Sequence, residues 1–137
     1  MAKSLAVLLK VAAYKVEQAQ NALADAERVL SQAKNDMLRW QDDAANGLAM
    51  AARAEDAVML LASGAFRDRA RDEEIRAAER VVVAEALVEK VRSELAAQYA
   101  EQQRYEILLE REKIAAKKAA AKKAESAMED VFSSRRS

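Results

Sequence analysis

Large and small apolar residues alternate along the first third of the chain with a seven-residue period. Leu9, Val16, Leu23, Leu30 and Met37 recur every seventh position, and Ala12, Ala19, Ala26, Ala33 and Trp40 follow each of them by three. A stripe this narrow is the seam of a coiled coil rather than the broader face of a globular-core helix. Alanine at one of the two seam positions lets a partner helix come close. The pattern runs on through Ala44, Gly47, Ala51, Ala54, Val58 and Leu61 until it meets Ser63-Gly64. Gly64 suits the left-handed position that closes a helix, and Ser63 or Asp68 suits the cap of the next one. A second register follows in Val81, Ala84, Val88, Val91, Leu95, Gln98, Gln102, Tyr105 and Leu109.

These patterns predict an all-α fold of two long helices forming an antiparallel coiled-coil hairpin, a single unit over residues 1–137. Helix 1 is expected over about 4–62, the turn over about 63–66, helix 2 over about 67–132, and a frayed tail over 133–137. Folding about Gly64 would place Trp40 near Val88, Leu30 near Gln98 and Leu23 near Tyr105, with both termini at the far end. Gln98 and Gln102 would then oppose Ala26 and Ala33, as polar seam residues that fix register. Asn46-Gly47 is the competing break. The heptad passes through it unshifted, so a continuous helix is expected there, with local bending as the alternative.

Composition sharpens this picture. The 137 residues include no proline and two glycines, so almost the whole chain is expected to be helical. Lys plus Arg and Asp plus Glu are equal at 23 each, which gives no global preference for nucleic acid or an anionic membrane. No apolar run approaches the length of a membrane span, no signal-peptide cleavage pattern follows an apolar stretch, and cysteine is absent. The chain therefore reads as cytoplasmic.

Little catalytic chemistry is on offer. Without histidine and cysteine the chain lacks the commonest metal ligand, a near-neutral proton carrier and a thiolate. No metal and no cofactor are expected, and the chain reads as a binding protein rather than an enzyme. Asp42-Asp43 and Asp72-Glu73-Glu74 are neighbours in sequence, and neighbours on a helix point about 100° apart, so they read as solvated surface.

Three features read as candidate binding surfaces. Trp40 and Phe66 are either seam and turn fillers or exposed anchors for a partner. The run REKIAAKKAAAKK, residues 111–123, is a solvated basic face, a seat for an acidic protein or, least of all, a nucleic-acid or lipid contact. Near the end, Met128, Val131 and Phe132 restore an apolar face after a stretch that has almost none, which points to docking.

The last stretch carries a resemblance. Leu108-Leu109-Glu110-Arg111, then Glu125, Met128-Glu129-Asp130, Phe132 and Arg135, is similar to the carboxy-terminal pattern of the flagellar export protein FliJ family and its virulence-secretion relatives. Leu5, Leu8, Leu9, Glu17, Leu23 and Leu30 match the family's leucine-rich start. The opening of helix 2 departs from it, retaining only Phe66 and Ile75 as large apolar residues between 66 and 80.

The resemblance implies a rod-like stalk of the type III export machine, cytoplasmic and peripheral at the inner-membrane export apparatus. Its implied partners are the hexameric flagellar export ATPase, a membrane export-gate protein and export chaperones, with no nucleic acid and no metal. Leu5, Leu8, Arg111, Met128, Asp130, Phe132 and Arg135 are the implied ATPase-ring contacts; Trp40, Phe66 and Ile75 are those for the gate or chaperones. The alternatives are a structural coiled-coil tether and a virulence-type secretion stalk.

Overall fold

The computed structural model describes the backbone of residues 2–136 and the side chains of residues 3–135. The fold is all-α. Two long helices pack against each other: α1 spans Ala2–Ala52 and α2 spans Ala57–Arg136. By contacts the chain divides into two compact units. One comprises residues 19–95 and contains the turn, and the other comprises residues 1–18 with 96–137.

In the turn-bearing unit the seam is built from small residues. Ala26 packs with Val88 and Val91, flanked by Leu23 and Leu30, and Ala33 packs with Val81 and Ala84, flanked by Leu30 and Met37. On α2 the buried positions recur every seven residues as Ser63, Ala70, Ala77, Ala84 and Val91, and Ala77 is wholly buried. The buried Ser63 hydroxyl donates to the Leu60 carbonyl at 3.0 Å, which satisfies it within its own helix. Across the helices Arg92 lies 3.7 Å from Glu27, and within α2 it lies 3.2 Å from Glu89. These side chains are largely in solvent, so the pairs contribute little.

The turn lies at residues 53–56, ten residues before the expected 63–66. Helix α1 tightens into shorter-range bonds as it ends. The Arg53 amide donates to both Ala49 and Met50 carbonyls at 3.2 Å, and the Ala54 amide to Ala51 at 3.3 Å. Asp56 starts α2: its carboxylate accepts the Met59 amide at 2.7 Å and its carbonyl the Leu60 amide at 3.1 Å. Asp56, not Ser63 or Asp68, is therefore the cap.

Gly64 lies inside α2 with open space where a β-carbon would stand and no left-handed backbone. The structural demand for glycine is at Gly47, which is buried within an unbroken α1. A β-carbon there would meet Phe66 Cδ1 at 2.9 Å and the Arg67 α-carbon at 3.2 Å. The bare backbone thus lets α2 come close.

Moving the turn moves every expected pairing. Leu23 and Leu30 pack beside Val88 and Val91 instead of meeting Tyr105 and Gln98, and Trp40 borders Phe66 and Ala70 instead of Val88. Ala26 and Ala33 face valines and alanine, not Gln98 and Gln102. Val58 and Leu61, assigned to the first seam, are 75% and 74% exposed.

In the second unit Ala12 and Val16 are buried and Leu5 and Leu9 half-buried. The α2 seam there continues as half-buried Gln98, Gln102, Tyr105, Leu109 and Glu112. The Tyr105 hydroxyl donates to Glu101 at 3.1 Å. The helices are unequal, at 51 and 80 residues, and α2 remains helical through Arg136, so the tail expected to fray is helix. Position 137 lies outside the described residues.

Candidate functional site

Beyond Glu112 every described side chain of α2 is exposed, from Lys113 to Arg135. The seam phase there turns polar: after Ala116 and Ala119 it reads Lys123, Ser126, Asp130 and Ser133. Apolar residues reappear off that phase. Met128, Val131, Phe132 and Arg135 are spaced three or four apart and so share one face. With Ala127 they make one exposed, mainly apolar face of the helix. Met128 is 64% and Phe132 60% exposed, a large apolar area to leave bare on a helix. An uncovered patch of this kind is suited to hold a partner.

The implied ring contacts are only partly gathered here. Met128, Phe132 and Arg135 come together. Asp130, about 200° around the helix from Met128, points to the other side. Arg111 is exposed. It stands about 26 Å along α2 from Met128, at a rise of about 1.5 Å per residue. Leu5 is half-buried in its unit's seam, so much of it is committed to packing, whereas Leu8 is 42% exposed beside that seam.

The gate or chaperone residues separate into two places. Trp40 and Phe66 border one notch of about 250 Å³ with Asp43, Arg69 and Ala70. Phe66 lies over Gly47 rather than capping the turn, and the Arg39 guanidinium stands 5.8 Å from the centre of the Trp40 ring. That separation is within reach of a cation–π attraction. Ile75 is 60% exposed. It lies nine residues beyond Phe66 and therefore half a rotation around α2, so it does not share their notch.

Sequence reasoning missed a groove in the turn-bearing unit. Val29, Val83 and Leu87 border a hollow of about 600 Å³ over Ala33 and Ala84, with Asp36, Arg76, Glu79 and Arg80 at its edges. Its signal was the Val81-Val82-Val83 run, in which only Val81 belongs to the seam while Val82 and Val83 are 66% and 69% exposed. Among the described residues no cluster of three or more His, Cys, Asp or Glu could hold a metal ion. Nor is any described helix long and apolar enough to cross a membrane. What the exposed surfaces offer is apolar contact and charge. Comparison with known proteins finds no matching family model, no matching curated protein and no matching solved structure.

Proposed function

We propose that this protein is a component of the flagellar type III protein export apparatus, a two-helix stalk resembling the FliJ family. In this role it binds the hexameric export ATPase and promotes its assembly or activity. It also links the ATPase to the membrane export gate and to export chaperones, working in the cytoplasm at the inner membrane. The observation that carries the proposal is the exposed face of Met128, Val131, Phe132 and Arg135, which coincides with the carboxy-terminal motif.

Apolar anchors beside a cation are the kind of side chains that dominate binding energy at an interface. Arg111 and Leu8 lie outside this patch and act as peripheral contacts, with Asp130 reaching the ring from the opposite side of α2. The notch holding Trp40 and Phe66 serves the gate or a chaperone, and Ile75 contributes separately.

The test is a titration of the export ATPase from the same source with this protein. Turnover is expected to rise and saturate near one chain per ATPase hexamer. Met128→Ala with Phe132→Ala is expected to weaken binding at least about tenfold, equivalent to about 1.4 kcal/mol. No stimulation and no co-elution would sink the export role. Stimulation with undiminished affinity in the double variant would sink the assignment of this face.

A further inference from the structure

We propose that the exposed stretch of α2 around Ala121 is also a self-association surface, on which a second copy of this chain docks antiparallel. This rests on three observations and does not depend on the export role. Ile114, Ala121 and Met128 recur every seven residues, with Phe132 one turn beyond, so they line one face of α2. Ile114 is 46% exposed and Met128 and Phe132 more so. This face lies about 200° around the helix from the seam phase of Glu112, Ala119 and Ser126, so no seam residue covers it.

The charges choose the occupant. Lys113, Lys117 and Lys118 precede Ala121 and Glu125 and Glu129 follow it, all on or beside this face, whereas Asp130 lies on the side turned away. A second copy turned end for end about Ala121 sets Lys118 of each chain on the same flank as Glu125 and Glu129 of the other, and runs the basic half of each chain alongside the acidic half of its partner. The same operation brings Ile114 of one copy to Met128 and Phe132 of the other. Lys122 and Lys123 stay near the midpoint, Lys123 on the face turned away. A parallel copy would set like charge against like, and a partner of one sign would match only one block. Self-complementarity about a point is what a two-fold interface requires, and alanine at that point permits close helix approach.

The chain has no cysteine, so single engineered thiols report on this geometry directly. Under mild oxidation of the full-length protein, Ala121→Cys is expected to cross-link to itself. Ile114→Cys is expected to cross-link with Met128→Cys but not with itself. Sedimentation equilibrium is expected to show a monomer–dimer exchange. Reversing Lys113, Lys117 and Lys118 to Glu should weaken it at least about tenfold, as should reversing Glu125 and Glu129 to Lys. Mixing these two variants should restore dimers, with circular dichroism confirming that each remains helical. A chain monomeric at all concentrations would overturn the proposal. So would self-linking of Ile114→Cys as fast as that of Ala121→Cys, or a dimer indifferent to both reversals.

Discussion

Two stretches of α2 share one heptad phase and put it to opposite uses. Between residues 63 and 91, in the turn-bearing unit, the phase holds Ser63, Ala70, Ala77, Ala84 and Val91, all buried against or alongside α1. In the other unit, between residues 113 and 135, the same phase holds Ala119, Ser126 and Ser133, all exposed, and the large apolar residues occupy other faces. The first stretch is small and apolar where it faces its partner helix. The second is small or polar there and apolar where no described residue covers it. A helix can thus change which side it offers without any break in its backbone.

This contrast is open to direct test at matched positions. Ala77→Glu would bury an unpaired carboxylate where there is no free space, and should cost about 4 kcal/mol. Ala119→Glu, at the equivalent heptad position, should stay within about 0.5 kcal/mol in the same thermal denaturation. Val88→Ala, next in size, should lose about 2 kcal/mol, whereas Val131→Ala should leave stability unchanged and affect only binding.

The glycines should move in opposite directions. Gly64→Ala gains about 1 kcal/mol from helix propensity, because nothing crowds its β-carbon. Gly47→Ala gains the same propensity but must displace Phe66 and the Arg67 backbone, for a net loss of about 1 kcal/mol. The smallest change is expected for Arg92→Ala, within about 0.5 kcal/mol, measurable as a loss of salt dependence in chemical unfolding.

How far the sequence revealed this architecture varies along the chain. The α1 seam was legible because Leu9 to Trp40 repeats without interruption, and burial of Ala12, Val16, Ala26 and Ala33 matches it. The α2 seam was legible from Val81 onward. Its opening was not, because Ser63, Arg67, Ala70, Glu74 and Ala77 are small or charged and carry little apolar signal.

The first seam's phase also persists through Ala54, Val58 and Leu61, so two registers overlap across the real turn. With no glycine or proline at 53–56, Ser63-Gly64 attracted the boundary, because the heptad passes through Asn46-Gly47 unshifted. Misplacing the turn then displaced each cross-helix pair and hid the meeting of Trp40 with Phe66. The Met128–Phe132 face was visible beforehand because it is set by spacing within one helix. The groove beside Val29, Val83 and Leu87 was not, since it exists only once two helices are correctly aligned.

The turn has one more implication. Arg53, Ala54 and Glu55 are all compatible with helix, and the chain reverses there with one carboxylate cap and no left-handed residue. Asp56→Ala would remove that cap, worth about 1 kcal/mol, and leave α1 free to run straight into α2. Two such chains can exchange arms, each α1 lying on the other's α2, with the same seam contacts rebuilt between molecules. The Asp56 cap thus biases the chain toward folding onto itself rather than exchanging arms. Concentrated Asp56→Ala should yield an exchanged dimer that separates only as slowly as the seam unfolds.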